Sequence, residues 1–367
     1  MRLSLTADQC ALRDAARSLL EGRAPLGVSR ALADAGRPYD AATWRALVEM
    51  GVVAVDVPEA LGGTGLGMVE LAVVMEVAGS VLYPGPLMST GGFAAGLIGD
   101  GDAAVRLGQR LADGTVLAAV VPGQPRGWHA DSVTVTAEDS ASGWRLSGSV
   151  RGVLGADIAE LLLVAARTDQ GDVAIFSVEP SSASITVEPG LDAARPLSTV
   201  ALSGAGATLV QRSAEEHLHR AGLRAATALA AESVGAARAA MDLTVEHVTT
   251  RRQFDQPIGA FQAVRHRLAD LLTEIELSTS AVYLAALHVE AGDTSSAAAS
   301  VPLALHSATG ALQRAAAAAV QLHGGMGFTW ESACHWFVSW GEMSRWLLGS
   351  PTGRLEEMFL NAPSLSS

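Results

Sequence analysis

Apolar residues recur along this chain at two different periods, and the change from one to the other divides it in three. Up to about residue 113 the spacing is that of helices. Thr6-Ala7-Asp8-Gln9 has the form of a capping box and opens a helix with Leu12, Ala15, Leu19 and Leu20 on one side. Asp40 caps a second helix carrying Trp44, Leu47 and Val48, which stops at Gly51. Residues 52–61 are apolar but punctuated by Pro58, and Gly62-Gly63-Thr64-Gly65 makes a tight loop. Residues 68–79 read as helix with Glu70 and Glu76 on its polar side, and 92–99 and 102–111 extend the helical region.

Between 116 and 210 the period shortens. Short β-like runs cover 116–121, 132–137, 144–148, 161–166, 173–178, 185–188 and 197–202, and Gly, Asp, Ser or Pro separates most of them. Ser132-Val133-Thr134-Val135-Thr136 alternates cleanly. Regular spacing with turn signals predicts a small β-barrel or sandwich.

From about 213 the helical period returns, over 220–250, 262–291, about 297–323 and 331–348, which predicts a bundle of three long antiparallel helices and a shorter fourth. Alanine dominates 297–319, so helices approach closely there, with Leu303, Leu312 and Val320 keeping an apolar face. Arg251-Arg252-Gln253-Phe254-Asp255-Gln256-Pro257-Ile258-Gly259-Ala260-Phe261-Gln262 joins the first two long helices. Val234, Met241, Val245 and Val248 lead into it; Val264, Leu268, Leu272 and Ile275 lead out. Pro257 cannot continue a helix and Gly259 loosens the chain, so this is a hairpin corner, with two arginines where a helix end favours cations. The expected fold is α+β and mostly α: a helical domain over 1–113, a β domain over 114–212 and a four-helix bundle over 213–367.

Composition narrows the function. In 367 residues, 25 basic against 38 acidic side chains leave a net charge of −13, which disfavours a nucleic-acid partner. All the basic residues besides histidine are arginine, a codon-bias signature rather than a chemical one. Cys10 and Cys334 lie far apart and imply neither a disulfide framework nor a metal cluster. The first residues lack an apolar leader region and no long uncharged apolar run follows, so the expectation is a soluble, cytoplasmic protein without a membrane partner.

Two motifs carry a resemblance. The first is Arg251 to Ile258 with Phe261-Gln262-Ala263-Val264 and Leu268-Ala269-Asp270; the second is Gln321-Leu322-His323-Gly324-Gly325-Met326-Gly327-Phe328-Thr329-Trp330-Glu331. Weaker support comes from Trp44-Arg45-Ala46-Leu47-Val48-Glu49-Met50-Gly51 with Pro58-Glu59-Ala60-Leu61 and the glycine loop after it. With the helix–barrel–helix order, the chain resembles the acyl-CoA dehydrogenase family over nearly its whole length. The physical logic fits a dinucleotide. A pyrophosphate needs a positive fork, which arginine supplies with planar geometry. A Gly-Gly turn lets backbone N–H groups approach phosphate closely.

The resemblance implies FAD as cofactor, an acyl-CoA substrate, an oligomer, an electron-transfer flavoprotein-like acceptor and a place in fatty acid or steroid degradation. It implies that Arg251, Phe254, Gln262, Gln321, Gly324 and Gly325 serve an FAD held mainly by a neighbouring subunit. Read without it, Arg251 is a helix-end charge, Phe254 a core residue and the Gly-Gly turn a helix cap. His323 reads as a packed or capping side chain.

The family pattern then breaks. Its reaction takes a proton from the substrate α-carbon while a hydride leaves the β-carbon for the flavin, so a positioned carboxylate is required. The commonest family base position falls on Leu348, before Gly349, and the second on Ala225. The nearest carboxylate on that helix is Glu232, seven residues and about 10 Å further along. It reads either as an unusual base or as a helix glutamate with a local partner. The family's Trp-Ile-Thr triplet beside the flavin becomes Gly152-Val153-Leu154, and Pro122-Gly123-Gln124-Pro125-Arg126-Gly127-Trp128 replaces another flavin loop.

Parts that serve a neighbour's FAD are kept, while parts that hold a chain's own flavin and base are lost. That asymmetry resembles the smaller, partly degenerate subunits of actinobacterial heteromeric acyl-CoA dehydrogenases, and implies a heterotetramer with a homologous subunit. The alternatives are a self-sufficient homo-oligomeric dehydrogenase using Glu232, an FAD-binding but catalytically incompetent structural subunit, and a flavin-dependent monooxygenase on the same fold.

Overall fold

The computed structural model describes residues 5–37, 39–98, 102–123, 128–141, 143–329, 332–350, 353 and 356. Several readings reach outside these: the first four residues, Gly99 at the end of the 92–99 run, the loop residues 124–127, Trp330-Glu331 of the second glycine motif, and most of 351–367 in the last domain. The helical first third comprises α1 (Ala7–Arg23), α2 (Val28–Asp34), α3 (Ala41–Glu49), α4 (Met68–Ser80) and α5 (Asp102–Ala112). The expected caps form. Thr6 Oγ1 accepts from Gln9 N at 3.2 Å while Thr6 N donates back to Gln9 at 2.9 Å. Asp40 accepts from Thr43 N at 2.8 Å. The short α2 carries no pattern strong enough to have announced it.

Two expectations change here. Helix α4 has almost no polar side: ten of its residues from Met68 to Gly79 are buried, and Glu76 accepts the Tyr283 hydroxyl at 2.8 Å. A helix apolar all round belongs inside a fold, and α4 packs against α1, α6 and α7. The 92–99 region is a wide helical turn over Leu87–Phe93 and a tight one over Ala94–Leu97. Arg224 draws off the Gly91 and Gly92 carbonyls at 2.8 and 2.6 Å, which a regular helix would need for its own ladder.

Seven strands follow: β1 (Ala118–Val121), β2 (Thr136–Ser140), β3 (Gly143–Leu154), β4 (Leu161–Thr168), β5 (Val173–Val178), β6 (Ala183–Val187) and β7 (Leu197–Gln211). The pairings β4–β2–β3–β7–β5–β4 close a ring, with β1 beside β4 and β6 beside β7, so the sheet is a barrel. Alternate residues of its strands fill the interior, among them Val135, Ala137, Leu146, Val164, Phe176 and Val200. The alternation read over 132–136 is real, since Val133, Val135 and Ala137 are buried, but ladder pairing begins only at Thr136. One irregularity matters later. The register of β3 on β7 shifts between Val150 and Val153, where Gly152 takes φ +73°, open to glycine at little cost.

The last third is α6 (Glu215–Thr250), a two-stranded hairpin of β8 (Arg252–Gln253) and β9 (Gln256–Pro257), α7 (Gln262–Glu290), α8 (Thr294–His323) and α9 (Cys334–Trp346). The bundle is as expected, although two of its faces are not. Leu272 and Leu303 are 41% and 46% exposed, and the buried stripes run through Leu271, Ile275 and Val282 on α7 and through Val301, Leu305 and Leu312 on α8. The alanines of α8 do bury themselves, and its main neighbour is the equally alanine-rich α6.

Helices α4 and α6 cross with their backbones in contact. A Cβ on Gly235 would overlap the Glu76 carbonyl, and one on Gly79 would overlap the Glu232 carbonyl. Neither backbone can retreat, because both helices are buried in the one core shared by the first and last thirds. Gly235→Ala is therefore expected to cost about 1–3 kcal/mol, the range of overpacked sites. A fall in the urea midpoint at unchanged slope would measure it.

Candidate functional site

The chain corner and the glycine turn, far apart in sequence, meet at one end of the bundle. Helix α6 runs up to Arg251, α7 starts at Gln262, and α8 ends at His323. The His247 and His323 rings stack with centroids 4.0 Å apart and join the two motifs. His323 also bonds the Ala319 carbonyl through Nδ1 at 2.8 Å, so it packs and caps as the sequence implied. Burial, then the His323 ring and the Arg251 charge, hold His247 below the ordinary imidazole range. His247 is thus neutral at physiological pH, and the positive charge it faces comes from Arg251.

Arg251, Phe254, Gln262, Gln321, Gly324 and Gly325 all stand on this end, and all are exposed. Phe254 is 85% exposed, and Phe328 beyond the glycines 82% exposed. Phe254 is no core residue; it sits at the hairpin tip, edge-on to Phe261 at 6.2 Å. Gly324 takes φ +61°, and a Cβ on Gly324 or Gly325 would meet nothing within 4 Å. Beside an exposed guanidinium, this is an open backbone shelf whose donor chemistry suits a pyrophosphate presented from outside the chain.

Phe254 and Asp255 both adopt left-handed backbone, φ +49° and +63°, as a two-residue hairpin turn requires. Arg252 braces the turn by donating to the Asp255 carbonyl. Asp tolerates this conformation better than most residues but at some cost, so Asp255→Gly is expected to stabilise the chain by up to roughly 1 kcal/mol. It also removes an acidic group from the shelf. Thermal denaturation of the two proteins side by side tests the first effect.

A second site lies between the barrel and α9. A cleft of about 800 Å³ is lined by the bulged edge of β3, Val150 to Leu154, by residues 188–192 after β6, and by Glu342 to Gly349 on and beyond α9. The two stretches that the family resemblance sets against a flavin triplet and a base, Gly152-Val153-Leu154 and Leu348-Gly349, face this one space. Ala225, the other altered position, is fully buried and is not among the lining residues. Trp128, Phe93 and Trp346 bring aromatic rings into the cleft from other elements, which the sequence did not indicate. Its cations are already engaged. Arg151 donates twice to Glu188, at 2.9 and 3.0 Å, and with the Thr199 hydroxyl holds the Glu188 carboxyl down at about 2.

Glu232 is 2% exposed, and its carboxylate accepts from Arg195 Nη1 at 2.7 Å. Arg195 lines the cleft; Glu232 does not. The same guanidinium donates to Asp192 at 3.2 Å, to the Trp340 carbonyl at 3.1 Å and to Ser344 at 3.0 Å, and its central carbon sits over the Trp340 ring, 3.3 Å from the centroid. One buried arginine thereby ties the barrel's 192–196 loop to α6 and α9. Burial raises the Glu232 carboxyl, and Arg195 opposes that rise. No sequence signal pointed to Arg195, because its partners on α6 and α9 lie 37 to 149 residues away.

Comparison with known proteins matches this fold and these motifs. Residues 6–106 correspond to the N-terminal domain of the acyl-CoA dehydrogenases and residues 223–352 to their C-terminal domain. The chain belongs to the acyl-CoA dehydrogenase family, FAD-dependent oxidoreductases acting on CH–CH bonds. It is 34% identical to the acyl-CoA dehydrogenase IpdE2 of Mycobacterium tuberculosis over 93% of this chain and 92% of that protein. Among solved structures, the ChsE4-ChsE5 complex from Mycobacterium tuberculosis superposes with a TM-score of 0.88 at 25% identity, covering 100% of both chains. A variant of the Tcur3481-Tcur3483 steroid acyl-CoA dehydrogenase does so at 0.87 and 28%, covering 96% of this chain and 97% of that one. No helix among the described residues is long and apolar enough to cross a membrane.

Proposed function

We propose that this chain is one subunit of a heteromeric acyl-CoA dehydrogenase and completes the FAD site of a homologous partner. The observation that carries this reading is the asymmetry of the two sites. The outward shelf is open and unobstructed, with Arg251, Gln321 and the Gly324-Gly325 turn together. The chain's own cleft has Leu348 where the family keeps its base, and Gly152-Val153-Leu154 where the family flanks its flavin. Two solved relatives bearing paired names support a two-chain assembly.

In this reading Arg251 forks onto the pyrophosphate, Gln321 and the Gly325 backbone bind beside it, and Phe254 and Gln262 pack against the nucleotide half, while the Gly324 N–H caps α8 on the Gln321 carbonyl. Bound flavin supplies the hydride acceptor for the β-carbon of an acyl-CoA. Glu232 serves as the counter-ion that holds Arg195, and the partner supplies the base that takes the α-proton. The turn's backbone is fixed by the Gly324 N–H on the Gln321 carbonyl, so little ordering is needed when the partner presents its cofactor.

The visible spectrum of the protein purified alone, and after co-expression with a genomically adjacent homologue, tests the reading. Flavin colour is expected only in the co-purified complex, at half the content of a homotetramer. A chain that alone binds stoichiometric flavin and oxidises an acyl-CoA would sink the proposal.

A further inference from the structure

The two helix ends that build the outward shelf are fastened to each other by a pair of histidines. We propose that the stacked His247–His323 pair is an acid-sensitive latch. Uncharged, it holds the glycine turn beside the Arg251 corner; once both rings carry a proton it lets go, and the partner's FAD is held less tightly. The link to FAD rests on the proposed function, whereas the latch itself does not.

Geometry sets the device. His247 lies one turn before Arg251 on α6, and its carbonyl accepts the Arg251 N–H at 2.9 Å. His323 is the last residue of α8, directly before Gly324. The ring centroids are 4.0 Å apart and the planes 21° from parallel. The Ala319 carbonyl can only accept, so it fixes the proton of neutral His323 on Nδ1, 2.8 Å away. A second proton then goes on Nε2, and a charge on each ring sets like charges face to face at contact distance. Half-buried rings have little water between them to screen that repulsion.

The surroundings add to it. Among the described residues, the charges that act on His247 are those of His323 and Arg251. Arg252 on the hairpin and Arg265 on α7 stand at the same end, with their guanidinium groups on the Asp255 and Gly259 carbonyls. Glu246, Asp255 and His266, the other titratable groups of these segments, are exposed to water. A helix C-terminus favours a cation, and at the end of α6 Arg251 already holds that place. Burial and these charges together keep His247 below the ordinary imidazole range, so the opened shelf takes up a proton more readily than the closed one. The latch therefore contributes fully above about pH 6.5 and loses that contribution as pH falls below it.

The glycine turn is the part free to yield. Its own bonds, Gly324 N–H to the Gln321 carbonyl and Thr329 N–H to the Met326 carbonyl at 3.1 Å, are internal and move with it. Met326 and Phe328 are exposed and anchor nothing, while the His323 ring ties the turn to α6.

Hydrogen exchange of the purified full-length chain at pH 7.5 and 5.0, corrected for the intrinsic pH dependence, tests the latch. One linked proton changes an equilibrium by up to about tenfold per pH unit. Protection of the amides over 319–324 is expected to fall at least about tenfold in the parent, while that of the barrel strand β4 stays constant. His323→Phe and His247→Phe keep a ring to stack but cannot be charged, and in each the loss is expected to stay below about twofold. Melting at pH 7.5 shows that both variants fold. In the co-purified complex the Kd for added FAD is expected to rise at least about tenfold over the same range in the parent and to stay level in the variants. Protection that is constant in the parent, or falls equally in parent and variants, overturns the latch and leaves the proposed function standing. An FAD affinity equal at both pH values overturns its coupling to the cofactor. A complex that holds no flavin at either pH overturns the proposed function, and the exchange result still decides the latch.

Discussion

Arg195→Ala is expected to destabilise the chain by about 3–5 kcal/mol at neutral pH, the cost of stranding buried charges whose partner is gone. The variant leaves Asp192 and Glu232, 7% and 2% exposed, without their cation, and removes the plate that covers the Trp340 ring. It also cuts the link from the barrel loop to α6 and α9. The deficit has a defined pH dependence. Burial already raises the Glu232 carboxyl with Arg195 in place, and a raised folded value means that this group favours the fold at acid pH and loses that contribution as pH rises through the folded value. Without Arg195 the value rises further, because the charge that chiefly opposes desolvation is then gone. The gap between variant and parent should therefore be wide at neutral pH and narrow as pH falls through the variant's folded value and then the parent's, since the unfolded chains titrate alike and cancel. Urea unfolding at three pH values measures it; a gap independent of pH would refute the assignment of Arg195 and Glu232 as a charge pair.

Arg251→Ala carries the other large effect, on the cofactor rather than the fold. Arg251 is exposed, so its loss should leave the melting transition within about 0.5 kcal/mol of the parent. In the co-purified complex, losing a charge-assisted contact to phosphate is worth about 1.5–3 kcal/mol, or about 10- to 150-fold in FAD affinity. Arg251→Lys should restore only part of this, since an ammonium keeps the charge without the planar fork. Retained flavin after dialysis, read against FAD added back, gives the number. A complex that keeps its flavin fully in Arg251→Ala would place the pyrophosphate elsewhere.

Much of the architecture was written in local pattern. The three-part order, the β character of the middle third and the α6–α7 corner follow from period, turn residues and Pro257, which act over a few residues, whereas closure of the sheet into a barrel rests on β4 pairing with both β2 and β5. The misreadings have local causes too. Leu272 and Leu303 share a helical spacing with residues that are buried, and only the packing of α7 and α8 selects which face turns inward. Glycines 91 and 92 lie in a helical-looking stretch, yet Arg224, 133 and 132 residues on, takes their carbonyls.

The outward shelf was legible as two motifs but not as one surface. The stacking of His247 on His323 shows that they share it, and the 85% exposure of Phe254 turns a plausible core residue into a presented one. The sequence by itself determined the family, and it set the identities of Leu348, Ala225 and Gly152-Val153-Leu154, the residues on which the proposed loss of base and flavin wall rests. Only the tertiary structure decided that Leu348 and Gly152-Val153-Leu154 face a single cleft and that Glu232 pairs with Arg195. Those facts depend on contacts between segments far apart in the chain, and burial and charge pairing are properties of where side chains meet rather than of the order in which they are strung.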